Sequence, residues 1–295
     1  MQSKEIAVGI CAYNEEHIIE RSIRSIFSQT LDGIIVKEVI VVSSGCTDRT
    51  NDIVRSLMSE FPCLRLIEQE TREGKNSAIN AYLDSKTCDI VVMLNADNVF
   101  ATPDSLQKLV EPFDDPKVGI TGGRPQPTND KKDKIGYAVN MMWQMHHQLA
   151  LIYPKIGEII AFRDIGTRLS KDMQSDEDTI RMELEKAGYL CLYTPGCIVY
   201  NRGPETEEDF IKQRVRVNIG ECVMKKKFDY DIPTWNNWLL FRSFFRSFRA
   251  LGFHPVRMVQ TVRLESYCRK TAMAHVNSGG DNMACWDRVD STKKL

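Results

Sequence analysis

Apolar residues in the first third of the chain alternate between short continuous runs and helix-like spacings. The continuous runs are typical of buried strands, which we predict over residues 6–12, 36–42, 64–69 and 89–94. Apolar residues three and four positions apart predict the intervening helices, over residues 14–29, 47–58 and 75–85. Strands that alternate with helices favour an α/β fold with a parallel, Rossmann-like sheet. Such sheets bind ligands beyond the carboxyl ends of their strands, so the loops after these strands are the candidate site.

The mixed pattern continues after a change of composition. Residues 121–130 are rich in Gly, Pro and Asn, and we interpret them as the seam between two halves. Beyond the seam we predict helices over 136–151, 179–187 and 207–224, and strands over 156–162 and 189–199. The chain is therefore divided into a first half, a second half and a C-terminal extension, residues 1–125, 126–225 and 226–295. The extension is basic and ends in a polar tail that starts at residue 276.

The composition is that of an ordinary globular protein, with 27% charged and 42% hydrophobic residues. The formal net charge of -1 indicates no general affinity for polyanions, and we expect no nucleic-acid partner. Nine cysteines without a CxxC pair predict reduced thiols rather than disulfides or a zinc site. No signal peptide or membrane-spanning segment is recognisable, because Met1–Glu5 leads into a strand and no apolar run approaches roughly 20 residues. We expect a cytoplasmic protein.

Two of the loops carry residues suited to phosphate chemistry. Asp97 follows the fourth strand, where a carboxylate can hold Mg²⁺ or Mn²⁺ while phosphate oxygens supply further ligands. The segment Arg72-Glu-Gly-Lys-Asn76 precedes a helix, so its Gly and Lys can approach phosphates at a positive helix end. The residues of each loop, taken alone, are also explained by a helix cap, a turn or a solvated charge. The order and spacing of the loops along the chain are what favour a functional interpretation.

Those motifs together resemble the family-two glycosyltransferases with the GT-A fold, over roughly residues 5 to 225. The matching segments in the first half are Ala12-Tyr-Asn-Glu-Glu16, Val42-Ser-Ser-Gly-Cys-Thr-Asp-Arg-Thr50, Arg72-Glu-Gly-Lys75 and Asn95-Ala-Asp97. The resemblance implies a GT-A-like nucleotide-binding sheet in residues 1–125, fused to an acceptor and catalytic half in residues 126–225. Residues 226–295 would form a helical extension.

The resemblance also assigns roles in the first half. Ala12, Tyr13 and Glu15 would line the pocket for the nucleotide base. Ser43 and Ser44 stand where the family has two acids, one of which holds the base; the base is therefore left open, with UDP-sugars favoured. Donor contacts are implied for Arg72 and Lys75. Asp97 is the retained acid of the Asp-x-Asp metal motif, whose first acid is replaced by Asn95, which offers a neutral oxygen.

In the second half, Gly157-Glu-Ile-Ile-Ala-Phe-Arg163 resembles the family's acceptor-side strand. Ser175-Asp-Glu-Asp178 resembles its Glu-Asp motif, which implies that Asp178 is the catalytic base beside Glu177; the alternative is a cap on a helix beginning at Thr179. Adjacent acids repel one another and help to raise a pKa. Gln213-Arg-Val-Arg216 is similar to the Gln-x-x-Arg-Trp motif of polysaccharide synthases. It implies substrate contacts for Gln213 and Arg216, but Val217 replaces the Trp, which argues against processive synthesis.

The function implied is an inverting transfer of a sugar from a nucleoside diphosphate sugar to a hydroxyl or phosphate acceptor, with a divalent metal as cofactor. The acceptor would be a glycan, polysaccharide or lipid-linked. One alternative is a sugar nucleotidyltransferase, although Ala12–Glu16 lacks the Gly expected after the first strand. Another is a degenerate GT-A fold that binds nucleotides without catalysis. Ser43, Ser44 and Asn95 favour that reading, whereas the retained acids oppose it.

The extension contains one strongly amphipathic segment, residues 238–251. Helical spacing puts apolar side chains on one face, namely Phe241, Phe244, Phe245, Phe248 and Leu251, beside a stripe formed by Arg242, Arg246 and Arg249. The face either packs on the catalytic domain or lies on an anionic membrane surface that presents a lipid-linked acceptor. His146 and His147 are adjacent on a predicted helix and point about 100° apart, so we expect packing or acceptor-pocket roles rather than a metal site.

Overall fold

A computed structural model describes residues 3–170, 175–230, 232–280 and 292. The strands are β1 (Lys4–Ala12), β2 (Ile34–Ser44), β3 (Leu64–Gln69), β4 (Ile90–Asn95), β5 (Val99–Phe100), β6 (Val118–Pro127), β7 (Ile159–Arg163) and β8 (Leu190–Asn201). The helices of the first and second halves are α1 (Ile19–Phe27), α2 (Thr50–Met58), α3 (Lys75–Ser85), α4 (Ser105–Val110), α5 (Lys134–Ala150), α6 (Asp176–Lys186) and α7 (Glu207–Phe228). In the C-terminal extension, α8 (Asn237–Leu251) and α9 (Pro255–Asn277) follow.

All strands join one sheet in the order β3-β2-β1-β4-β7-β6-β8-β5. The prediction of an α/β fold with parallel strands is confirmed for β1 to β4. No strand direction was predicted for the second half, where β7 runs antiparallel to both β4 and β6. The chain reaches β7 from the opposite end of the sheet, after α5, and the backbone hydrogen bonds of an antiparallel pair accept that direction without a crossover.

Helices cover both faces of the sheet, so its central strands are apolar on both sides. Alternate residues of β1, including Ile6, Val8 and Ile10, belong to the core cluster that contains α1, α2 and α4. The opposite cluster contains Ala7 and, from α3, Tyr82. A Cβ atom on Gly9 would lie 2.5 Å from the Tyr82 ring, so this strand position requires glycine for α3 to pack. Burial on both faces explains the continuous apolar runs in the sequence.

The Gly- and Pro-rich segment at residues 121–130, interpreted as a seam between two halves, lies mostly within the sheet. Most of it forms β6, a strand inside the sheet. A Cβ on Gly122 would lie 2.3 Å from the Ile156 side chain, and one on Gly123 would lie 2.7 Å from Ile159. The glycines therefore allow neighbouring side chains to pack against the backbone of β6, and the two halves share one sheet.

Element ends differ from the predictions at two places near the candidate site. Helix α1 begins at Ile19 rather than at residue 14, and Asn14 has a left-handed backbone with φ of 55°. Helix α6 begins at Asp176 rather than at Thr179. Its three acids therefore occupy the first turn, where the positive end of the helix dipole stabilises negative charge.

The C-terminal extension packs on the second half through α5 and α7. Ile219 and Val223 of α7 contact Ala272 and Val276 of α9 in one apolar cluster. None of the helices in the described ranges is long and apolar enough to cross a bilayer. The polar tail predicted from residue 276 lies outside the described residues beyond residue 280, apart from Thr292. Every cysteine in the described part of the chain is a free thiol.

Candidate active site

A cavity of about 370 Å³ opens beyond the carboxyl end of β4, between α5, α6 and α7. The size suits a sugar-sized ligand. The predicted site residues that line it are Lys75, Asn95, Asp97, Glu177, Asp178, Gln213 and Arg216. They come from loops and helices more than a hundred positions apart along the chain. The fold thus brings one part of the predicted site together around a single pocket.

The other predicted residues lie at the ends of β1 and β2 and in the loops after β1 and β3, outside the lining of this pocket. Ala12 is buried at the end of β1, and its carbonyl accepts a weak hydrogen bond from the Cys46 thiol. The Arg72 guanidinium stacks over the Tyr13 ring at 4.1 Å from the centroid. Buried Glu15 donates its backbone N–H to the Thr50 hydroxyl at 2.8 Å.

Ser43 and Ser44 are both buried at the end of β2. The Ser44 hydroxyl accepts the backbone N–H of Glu73 at 3.2 Å and so fixes the loop before α3. The Ser43 hydroxyl has no hydrogen-bond partner among the described residues. The first two loops are joined by Asn14, whose side-chain oxygen accepts the backbone N–H of Thr47 at 2.8 Å. These bonds hold the loops at the sheet edge in one arrangement.

Lys75 begins α3 and faces the acids of α6. Its ammonium lies 2.6 Å from the carboxylate of Asp176 and 3.4 Å from that of Glu177. Burial and the charge of Glu177 raise the pKa of Asp176. Burial also disfavours ionisation of Glu177, but the charge of Lys75 and a hydrogen bond from Asp176 lower the pKa of Glu177 below its ordinary value. The first turn of α6 therefore holds acids with different proton affinities.

Asp178 points to a different cation, Lys155, which no sequence pattern marked. The Lys155 ammonium lies 3.0 Å from Asp178 and 3.5 Å from Glu221, and all three residues are buried. Burial raises the pKa of Asp178, while Lys155 opposes the rise. The second carboxylate oxygen of Glu221 accepts hydrogen bonds from the Thr234 hydroxyl at 2.9 Å and the Trp235 indole N–H at 2.8 Å. The predicted base is thus connected to the C-terminal extension.

A second residue missed by the sequence analysis lies beside Asp97. Glu158 precedes β7, has a left-handed backbone with φ of 66°, and accepts a hydrogen bond from the Asn95 amide at 2.7 Å. Burial and the neighbouring charge of Asp97 raise the pKa of Glu158. Glu158 lies in the segment 157–163, which resembles an acceptor-side strand, but the sequence pattern indicated no role for it.

The two arginines of the predicted motif in α7, Arg214 and Arg216, have different environments. Arg214 forms a two-point ion pair with Glu265 of α9, at 2.9 and 2.8 Å. Arg216 lines the pocket and forms no salt bridge or hydrogen bond within residues 3–170, 175–230 and 232–280. Burial lowers the pKa of Arg216 against the attraction of acids that include Glu158 and Asp97. Arg216 is therefore a cation at the pocket with capacity for an anionic ligand.

The adjacent histidines of α5 point in different directions, as predicted. His147 is paired with the Tyr193 hydroxyl at 2.8 Å. His146 lines the pocket, where burial and the charge of Lys155 lower the pKa of the imidazole to about 3. A neutral imidazole at this wall suits packing against an acceptor. In the described part of the chain, no cluster of three or more His, Cys, Asp or Glu side chains forms a metal site.

Comparisons with known proteins show a family match. Residues 7–204 match the family model described as glycosyl transferase family 2. The poly-beta-1,6-N-acetyl-D-glucosamine synthase of Staphylococcus aureus strain COL is 26% identical over 220 residues, which are 70% of this chain and 52% of that protein. The chain therefore spans about half the length of this curated relative.

Solved structures show the same fold at lower sequence identity. A mannosyltransferase from Pyrobaculum calidifontis, in complex with GDP-Man and Mn²⁺, superposes with a TM-score of 0.61 at 22% identity, covering 95% of this chain and 80% of that one. Glucosyl-3-phosphoglycerate synthase from Mycobacterium tuberculosis, with Mn²⁺, UDP-glucose and phosphoglyceric acid, gives 0.52 at 17% identity, covering 74% and 78%. The expected GT-A-like sheet with a C-terminal helical region is confirmed. The family match covers most of the chain, and the protein belongs to glycosyl transferase family 2.

Proposed function

We propose that the protein transfers a sugar from a nucleoside diphosphate sugar, with UDP-sugars favoured, to a hydroxyl or phosphate acceptor. The observation that carries the proposal is the convergence of Lys75, Asp97, Asp178 and Arg216 on one pocket of sugar size. Related folds bind such donors: the structures named above hold GDP-Man and UDP-glucose. A protein that only binds nucleotides has no need of a buried acid beside its sugar-sized cavity.

The residues at the edge of β4 fit a hard divalent cation. Asp97 offers a carboxylate and Asn95 an amide oxygen, and Mg²⁺ or Mn²⁺ takes few protein ligands when a diphosphate supplies the others. Such an ion, when bound, would neutralise negative charge on the leaving diphosphate. Lys75 at the N-terminus of α3 and Arg216 of α7 would bind diphosphate oxygens from two sides of the pocket. Tyr13, Arg72 and the loops after β1 and β2 would hold the nucleoside.

Asp178 would take the proton from the acceptor hydroxyl as that oxygen attacks the anomeric carbon. Burial raises the pKa of Asp178, which makes it a stronger base than an exposed aspartate, and Lys155 holds its carboxylate in place. Glu177, kept ionised by Lys75, would repel a misplaced diphosphate or bind a sugar hydroxyl. Direct displacement from the opposite face would invert the anomeric configuration.

The experiment that tests the proposal is a screen of UDP- and GDP-sugars for release of nucleoside diphosphate, with Mn²⁺ or Mg²⁺ and with EDTA. We expect release to require one donor class and to stop with EDTA. Asp97→Ala should abolish release and weaken nucleotide binding in the presence of metal, whereas Asn95→Ala should be milder. Full turnover by Asp97→Ala would refute the cation assignment, and nucleotide binding without turnover on any donor would favour the non-enzyme alternative.

We also propose a lipid-linked acceptor delivered at an anionic membrane surface on the cytoplasmic side. Trp238, Phe241 and Phe245 of α8 are 65%, 65% and 51% exposed, and Phe253 and Val256 continue the apolar surface. Leu240, on the same helix, lines the pocket, so an acceptor on this surface would be next to the site. The nearby arginines of α8 would bind anionic headgroups. The rest of the predicted apolar face, Phe244, Phe248 and Leu251, packs on α5 and α9.

A further inference from the structure

Glu158 occupies a backbone conformation that residues with a side chain rarely adopt. Its φ of 66° lies in the left-handed region, and it directly precedes β7 beside the end of β4. A glycine would adopt this conformation without a steric penalty. The neighbouring Gly157 is not the residue with positive φ, so the strained position is used to place a carboxyl group.

Two amides clamp that carboxyl group. The Asn95 side-chain amide donates to a Glu158 oxygen at 2.7 Å, and the amide of Asn98, which is fully buried, donates to the same oxygen at 3.2 Å. The Asn98 amide also lies 3.2 Å from the Glu158 carbonyl, and the Asn95 backbone N–H donates to that carbonyl at 3.3 Å. The β4 edge is therefore built to hold Glu158 in a single position.

Glu158 and Asp97 bring two carboxyl groups to the same pocket. The cationic side chains of Lys75 and Arg216 line that pocket as well. Within residues 3–170, 175–230 and 232–280, Glu158 forms no salt bridge with a Lys or Arg. An ionised aspartate at position 95 would add a third negative group and could not donate the 2.7 Å hydrogen bond, whereas Asn95 can.

We propose that Glu158 supplies a second carboxylate of the divalent-cation site, and that Asn95 is the hydrogen-bond donor that positions it. The acid absent from the Asn95-Ala-Asp97 motif is thus replaced from another strand. The inference rests on the proposed function, because it assumes the cation at Asp97. It deepens that proposal by explaining why position 95 is an amide in this chain.

The test measures Mn²⁺ binding in the presence of UDP or GDP. Electron paramagnetic resonance detects binding as a decrease of the free Mn²⁺ signal. Four proteins form a cycle: the unmodified chain, Glu158→Gln, Asn95→Asp, and the double variant. Glu158→Gln should weaken Mn²⁺ binding about tenfold or more. Asn95→Asp should restore binding to within about threefold of the unmodified chain when Glu158 is Gln, because the carboxylate and amide have exchanged positions.

The effect of Asn95→Asp should depend on the residue at position 158. When Glu158 is present, Asn95→Asp should not strengthen Mn²⁺ binding. Glu68→Gln, which removes an exposed carboxylate of β3, is the control for net charge and should bind Mn²⁺ normally; circular dichroism verifies folding of each variant. Unchanged binding by Glu158→Gln, or an equal effect of Asn95→Asp in both backgrounds, would overturn the role of Glu158 alone. Absence of Mn²⁺ binding by the unmodified chain would overturn the cation assignment in the proposed function as well.

Discussion

Asp178 owes its environment to residues from other elements of the fold. Lys155 comes from the loop before β7, and Glu221 comes from the middle of α7. Buried charges are tolerated when they are paired and hydrogen-bonded, and here Thr234 and Trp235 complete the set around Glu221. As the proposed base, Asp178 would be oriented before the acceptor arrives, which is the requirement for proton transfer in the transition state.

Replacement of Asp178 by Asn should separate catalysis from binding. The amide keeps the shape of the carboxylate and cannot accept the proton, so transfer should fall by about a hundredfold or more while donor affinity remains. Single-turnover kinetics and nucleotide titration measure the two quantities. NMR of the product should show inverted anomeric configuration; retained configuration would rule out direct displacement, and an equal loss of donor affinity would make Asp178 structural.

Removal of the Lys155 charge should change the pH dependence of transfer. The base works when deprotonated, so activity is lost as pH falls through the pKa of Asp178. Burial raises that pKa and Lys155 opposes the rise, so Lys155→Met should move the acid limb of the rate profile to higher pH. Lys155→Arg keeps the charge and is the matched control. An acid limb that stays in place, or moves to lower pH, would contradict the assignment of Asp178.

The apolar face of helix α8 is partly packed against the protein and partly exposed to solvent. Phe244, Phe248 and Leu251 pack against Tyr137, Met141 and Met258, while Trp238, Phe241 and Phe245 remain exposed. The packed and the exposed residues form two neighbouring stripes along the helix, so one stripe anchors α8 while the other remains available. Exposed aromatic residues beside arginines are the pattern of interfacial helices.

Charge reversal of α8 tests the membrane surface. Arg242, Arg246 and Arg249 changed together to Glu should abolish flotation with anionic liposomes at low salt, since each basic residue contributes about 1 kcal/mol near such a surface. Salt should weaken binding of the unmodified chain. An equal charge change at Lys37, Arg55 and Lys117, exposed residues outside the extension, should leave binding intact. If the unmodified chain ignores anionic liposomes at low salt, the acceptor is delivered from solution.

Across the molecule, the C-terminal extension is part of the structure that encloses the pocket. Leu240 and Arg269 line the cavity. Glu265 joins α9 to α7 by an ion pair with Arg214 at 2.8 Å, and Arg269 of α9 itself lies 2.9 Å from the same carboxylate. These side chains are largely buried, in contrast to the exposed pairs that predominate on the sheet domain. The extension and the acceptor half should therefore unfold together.

Glu265→Ala measures that coupling. Loss of the carboxylate leaves two arginines in a buried setting without their partner, which should lower the free energy of unfolding by about 3 kcal/mol. Urea unfolding followed by circular dichroism provides the measurement. Glu5→Ala, which breaks an exposed pair with Lys37, should cost less than about 1 kcal/mol and serves as the control. Equal effects of the two changes would mean that α9 contributes little to the stability of the second half.

Much of the fold was predictable because its signals are local. Continuous apolar runs predicted β1 to β4, and the bounds of β3 and α3 agree with the structure to the residue. The loop motifs at Ala12–Glu16, Arg72–Lys75 and Asn95–Asp97 could be found because ligands of a parallel sheet meet its carboxyl edge. Local patterning thus specified most of the elements and the family.

What depends on long-range pairing could be read only from the tertiary structure. The Lys155–Asp178 pair joins residues 23 positions apart, and the Asn95–Glu158 hydrogen bond joins residues 63 positions apart. The antiparallel direction of β7 depends on its pairing with β4, a strand far away in the sequence. A lone lysine or glutamate has no periodicity that reveals its partner. The division of the α8 face is also tertiary, because periodicity places apolar side chains on one side of a helix but does not specify what covers them. The positions of the neighbouring helices determine which residues of the apolar face become buried.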